Sequence, residues 1–206
     1  MRSGITSGEC NGEDVVNISE EAVPRWLNSP ADTAIITVVI PTILCLALIT
    51  NLTFLFVLYR IPKLRSDTNM YLAHLALADL LYVILASTIA LWRYTSTLVA
   101  YHTPFLHSAQ CTIFYTVVNT GYFASVALVT MVSFERYLAL CHPIKHLKIR
   151  GRQHTNKMIG ISWLVGLIFS GSTTFGVAVF NVQCLQWPDD DAYLDYPSKR
   201  GYCGPI

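Results

Sequence analysis

Charge is what this chain has least of. Only 13% of its 206 residues are Asp, Glu, Lys or Arg, against about 25% in a typical soluble domain. That scarcity argues against an ordinary soluble fold. The formal net charge of +1 selects no class of partner, and no nucleic-acid partner is expected. Apolar–polar alternation is missing as well, which removes a membrane β-barrel as a reading. Internal repeats and low-complexity stretches are absent. The six histidines show no metal-ligand spacing and no nucleophile–base pair is evident, so enzymatic chemistry is not expected. A cleavable signal peptide is not expected either. Residues 1–33 are polar and acidic, and the apolar run after them is too long for a signal core.

What the chain does have is hydrophobic length. Four apolar runs stand out: Ala34 to Tyr59, Met70 to Trp92, Ala109 to Leu140 and Met158 to Phe180. Each reaches the ~20 residues needed to cross a bilayer core. Backbone polar groups in lipid must be satisfied internally, so each run is predicted to be a helix. The expected fold is an all-α membrane protein. It has a polar tail (1–33), a four-helix bundle (34–180, helices 34–59, 69–92, 108–140 and 157–180) and an outer loop (181–206). Residues 60–68 and 135–157 together carry nine basic residues and two acids, whereas 1–33 and 181–206 are acid-rich. The positive-inside rule puts the two basic loops in the cytoplasm and both acidic segments outside. The expected location is the plasma membrane, multi-pass, with an extracellular N-terminus.

Punctuation agrees with these spans. Pro62 ends the first helix, and His102-Thr103-Pro104 and Cys141-His142-Pro143 break the connections on either side of the third. The tail reads as flexible until about Val23. It holds a glycosylation sequon at Asn17-Ile18-Ser19. Cys10, Cys184 and Cys203 fall in outer segments and Cys111 at the outer end of the third span, where disulfides form. Cys45 and Cys141 lie in the membrane or at the cytoplasmic face and are expected to be free.

Polar residues inside the runs narrow the reading. Asp79 lies ten residues from Asn69, about 15 Å along a helix, near mid-membrane. Acids there face the interior and mark ion or proton sites, or serve as packing nodes. Asn51 in the first span is a plausible partner. In the third span Val118, Tyr122, Ser125, Val129, Val132 and Arg136 fall on one helical stripe. The 26 residues Ala109 to Phe134 hold no charge and then meet Glu135-Arg136-Tyr137. An arginine at that boundary either snorkels to the interface or pairs with Glu135 as an exchangeable switch.

Taken in order and spacing, this set resembles the rhodopsin-like (class A) G-protein-coupled receptors. It comprises Asn51, Leu75 to Asp79, Cys111 placed 25 residues before Arg136, Glu135-Arg136-Tyr137, Pro143-Ile144 and Trp163. The resemblance covers about residues 34–206, the first four of that family's seven helices and its second outer loop. Thr50 and Glu135 are its two departures, at positions where glycine and aspartate are more frequent in the family. The resemblance implies a sodium-ion site at Asp79 with Ser125 and Asn51, and no other cofactor. It implies a switch in which Glu135 restrains Arg136, with Tyr137, Pro143 and Ile144 at the surface that receives a heterotrimeric G protein. Trp163 is structural. It implies a disulfide from Cys111 to the second outer loop, with Cys203 preferred on position and Cys184 the alternative. The ligand pocket falls at Arg93, Tyr115, Val118, Asn119 and Tyr122. Val118 stands where amine receptors carry an aspartate, so a cationic amine is not expected. Phe134 to Ala139 with Cys141-His142-Pro143 looks most like the neuropeptide-receptor branch, and the expected ligand is an extracellular peptide.

No fifth apolar run follows the fourth. The chain therefore reads as part of a receptor whose mobile helices are not included. Two other readings are a truncated product that modulates the folding or trafficking of full-length receptors, and a four-span membrane scaffold.

Overall fold

The apolar runs form helices, and the first of them has its two ends closed by side-chain hydrogen bonds. The computed structural model describes residues 15–100, 102–144, 151–175 and 179–204. Within these, four helices are long and apolar enough to cross a membrane: α1 (Pro30–Arg60), α2 (Asp67–Ser96), α3 (Ser108–Cys141) and α4 (Arg152–Phe175). α1 begins four residues before the expected start at 34. Pro30 occupies its first turn, the Ser29 hydroxyl accepts the Asp32 amide at 3.2 Å, and the Asp32 carboxylate accepts the Ser29 amide at 3.0 Å. That reciprocal box satisfies two donors the helix start would leave open. At the far end the Arg65 guanidinium donates to the carbonyls of Leu58 and Tyr59 at 3.2 and 2.9 Å, closing groups that have no intrahelical partner.

The fourth helix departs most from expectation. The sequence predicts a helix over 157–180, but α4 starts at Arg152 and ends at Phe175, and Val179–Gln186 is a β-strand. Its backbone groups pair with a second strand, and hydropathy alone does not separate a strand from the end of a helix.

Two compact units divide the chain. One comprises Thr42–Ser87 and Tyr115–Thr174. Its core is Tyr71, Ala78, Ala124, Leu128 and Ile159, with Met131, Val132 and Trp163 packed against it. Small residues let the helices approach. A Cβ on Gly166 of α4 would lie 2.9 Å from the Ala124 amide nitrogen, and one on Gly121 of α3 would lie 3.0 Å from the Ala78 carbonyl oxygen. The buried face of α4 is Thr155, Ile159, Ser162, Gly166, Ser170 and Thr174. Close backbone approach through small residues is how membrane helices associate. The Ser170 hydroxyl adds an interhelical bond to the Thr116 carbonyl at 2.6 Å.

The other unit comprises Met1–Pro41, Thr88–Phe114 and Phe175–Ile206. Within its described residues lies a three-stranded sheet of order β1 (Val15–Asn17), β2 (Val179–Gln186) and β3 (Lys199–Gly204). β2 and β3 form an antiparallel hairpin, and β1 pairs with β2 in parallel, Val15 opposite Cys184. The segment expected to be flexible up to Val23 is thus ordered from Val15. Ile18, Val23, Val99 and Leu185 make a small core, flanked by Trp26, Trp187 and Tyr193. Arg200 stands 5.2 Å from the Trp26 ring and 5.4 Å from that of Tyr202, a cation–π contact with both.

Candidate functional site

In the helix unit, the polar centre forms between α2 and α3. The Ser125 hydroxyl donates to Asp79 Oδ1 at 2.7 Å, a charge-assisted bond between side chains 46 residues apart. Both are half-buried. Asn51 does not join them through its amide nitrogen, which donates to the Ala47 carbonyl of its own helix at 2.9 Å. Asp79 and Ser125 together offer hard oxygen ligands of the kind a small alkali cation takes. Among the described residues no cluster of three His, Cys, Asp or Glu is arranged for a metal.

The far end of α3 carries the acid–arginine pair. Glu135 is half-buried, with Oε1 accepting from the Thr68 hydroxyl of α2 at 3.5 Å. Thr68 has no signal in the sequence beyond its position one residue into a helix. Arg136, Tyr137, Pro143 and Ile144 are exposed, Ile144 at 73%, and the Tyr137 ring meets His142 edge-on at 5.8 Å. Ile144 is the last described residue before 145–150, so Lys145, Lys148 and Arg150 lie outside the described residues, as does Cys10 in the tail.

The helical stripe on α3 coincides with the buried face only in part, through Ser125 bonded to Asp79 and Val132 packed against the core. Val118 is buried, but Tyr122, Val129 and Arg136 are exposed. The face that packs is offset by one residue, through Gly121, Ala124 and Leu128. Small residues win it because α2 and α4 come close there. Of the expected ligand residues in this unit, Tyr115 and Asn119 are half-buried and Tyr122 packs against Tyr82 at 5.9 Å and Phe123 at 5.3 Å. Phe123 continues to Phe169 of α4 at 6.0 Å. Trp163 packs against the core.

Arg93 belongs to the sheet unit. Its Nε donates to the His102 carbonyl at 3.2 Å. There Cys111 at the start of α3 is bonded to Cys203 in β3, 92 residues on. Cys184 takes part in a separate disulfide, and Cys45 and Cys141 are free and exposed. Asn17 sits in β1 with its side chain exposed. Thr103 is fully buried beside this corner, its amide and hydroxyl both donating to the Gly201 carbonyl at 2.7 and 3.2 Å. The sequence marked His102-Thr103-Pro104 only as a helix breaker.

Comparison with known proteins places this arrangement. Residues 50–193 match the family described as 7 transmembrane receptor (rhodopsin family). The chain is 31% identical over 172 residues to apelin receptor B of Danio rerio, covering 83% of this chain and 46% of that receptor. It is 30% identical over 174 residues to somatostatin receptor type 2 of Mus musculus, covering 82% and 43%. Apelin receptor B of Xenopus laevis is 36% identical over 121 residues, covering 59% of this chain and 31% of that receptor. The chain thus spans less than half the length of the relatives it matches. With four apolar helices, the α2–α3 polar centre and a matching segment that runs from within α1 past the end of α4, the chain belongs to the rhodopsin family of seven-transmembrane receptors.

Proposed function

We propose that this chain carries the ligand-facing and switch-bearing helices of a plasma-membrane receptor for an extracellular peptide, with a heterotrimeric G protein as its cytoplasmic partner. The observation that carries the reading is the similarity to receptors named for apelin and somatostatin, both peptides, over more than four-fifths of this chain. Val118 agrees with it. A buried valine offers no counter-charge to a small amine, which would lie there unpaired at a cost. Asn17 and the acidic segments face outside, and the basic loops between α1 and α2 and between α3 and α4 face the cytoplasm. Arg136 sits at that cytoplasmic boundary, exposed, beside the half-buried Glu135 that Thr68 holds. A sodium ion would be held by the Asp79 carboxylate with the Ser125 hydroxyl beside it.

The test uses the chain within a receptor of the relatives' length, in membranes, with labelled apelin and somatostatin peptides as probes. Arg136→Ala is expected to reduce peptide-stimulated nucleotide exchange on the G protein by at least tenfold while peptide binding persists. Peptide binding and surface expression lost in equal measure would instead make Arg136 a folding residue. Absence of saturable binding by either peptide in the unmutated receptor would count against these ligands.

A further inference from the structure

His102 is fastened at both its backbone and its ring. Its carbonyl accepts from Arg93 Nε of α2 at 3.2 Å, and its Nδ1 accepts the Gly201 amide of β3 at 3.3 Å. The next residue completes the junction, because the Thr103 amide and hydroxyl both donate to the Gly201 carbonyl. Gly201 is therefore held on both of its backbone polar groups. It is also sterically required. A Cβ there would lie 2.8 Å from the Phe180 ring and 3.3 Å from the Thr103 carbonyl oxygen. Two residues on, Cys203 is tied to Cys111. This edge of β3 is thus attached to the segment after α2 by one covalent bond and a short set of hydrogen bonds, one of which uses a ring nitrogen.

That nitrogen accepts a hydrogen bond from the Gly201 N–H, so the ring is neutral, with its own hydrogen on Nε2. A proton arriving from solvent would take the Nδ1 lone pair that the Gly201 amide now uses. It would also add a positive charge beside Arg200 of β3 and Arg93 of α2, charged groups among the described residues that act on the ring. The third element at this corner, α3, brings the bonded Cys111, which does not titrate. We propose that the Arg93–His102–Gly201 junction is an acid-released clamp: neutral His102 holds β3 against the segment after α2, and its protonation lets that edge go while the Cys111–Cys203 bridge keeps it tethered.

Burial, then Arg200, then Arg93 lower the affinity of His102 for a proton below its ordinary value of 6.5. The released state therefore binds protons that the clamped state does not. The clamp keeps its full strength above the ordinary histidine range and weakens as pH falls through that range toward the lowered value.

Hydrogen exchange on the whole chain in lipid nanodiscs tests this, with rates corrected for the intrinsic effect of pH. Protection of the Gly201 and Thr103 amides is expected to fall by at least tenfold between pH 7.5 and pH 5. The Ile18 amide, bonded to the Gln186 carbonyl at 2.9 Å, serves as the internal reference and holds its protection. His102→Asn keeps an acceptor near the position of Nδ1 and cannot titrate, so its protection at Gly201 is expected to be flat with pH. Arg93→Gln removes one cation and is expected to move the midpoint to higher pH. The proposal is overturned by flat protection in the unmutated chain, by an equal fall in His102→Asn, or by an Arg93→Gln midpoint that stays put or moves down.

Discussion

At the scale of single residues, the Asp79–Ser125 bond decides what the middle of the bundle does. A carboxylate at this depth is costly unless it is bonded or balanced by a cation. Ser125 supplies one hydrogen bond, and bonds to charged groups contribute roughly 1.5–3 kcal/mol. If sodium supplies the balance, the purified chain unfolds at a higher temperature in sodium chloride than in choline chloride of equal ionic strength. Asp79→Asn removes the charge but not the shape, and the difference between the two salts is expected to vanish. A difference that survives in Asp79→Asn would move the ion elsewhere. Asn51 shows where residue-level reading stops. Its place on the first helix was legible, but an amide can bond its own helix as readily as a neighbour, and here its nitrogen bonds to Ala47.

Elements are governed by close approach. Gly166 packs on the Ala124 backbone, whereas nothing lies within 4 Å of a Cβ built on Gly160, on the same helix. Gly166→Ala must push α3 and α4 apart and is expected to cost about 1–3 kcal/mol, the range for overpacking. Gly160→Ala is expected to be neutral or to stabilise by up to about 1 kcal/mol through helix propensity. Thermal unfolding of the two variants side by side checks both, and equal effects would mean that the seam is not tight. The same pair explains how far the elements could be read from sequence. Four helices follow from run length, because backbone satisfaction in lipid leaves little choice. Their packing faces do not follow. The stripe through Tyr122 and Val129 has correct helical arithmetic but does not say which side has neighbours, and the face that packs belongs to Gly121 and Ala124. The spacing of Ser162, Gly166, Ser170 and Thr174 at every fourth residue was the available signal. The end of α4 was hidden because Val179 and Phe180 suit a strand as well as a helix. β1 was hidden because its partner lies at the other end of the chain.

For the whole molecule, orientation is the property from which the proposed roles follow. If the tail is outside, Asn17 can be glycosylated, and its exposure in β1 leaves room for the sugar. The chain made in cells is expected to lose mass on endoglycosidase treatment, and Asn17→Gln is expected to remove that shift. A shift that persists in Asn17→Gln would place the sugar at another site. The parallel pairing of β1 with β2 adds a question of timing. Val15 and its partner Cys184 lie 169 positions apart, so the ribosome delivers one strand long before the other. At about 5–20 residues per second that interval is roughly 10–30 s. Throughout it β1 has no β2 to pair with, and Asn17 lies on an open chain rather than on a strand. With the tail outside, the sequon would be read in that interval, and the sheet would close around whatever it carries. Because β1 lies at the edge of the sheet, a sugar attached early can stay outside when the last strand arrives.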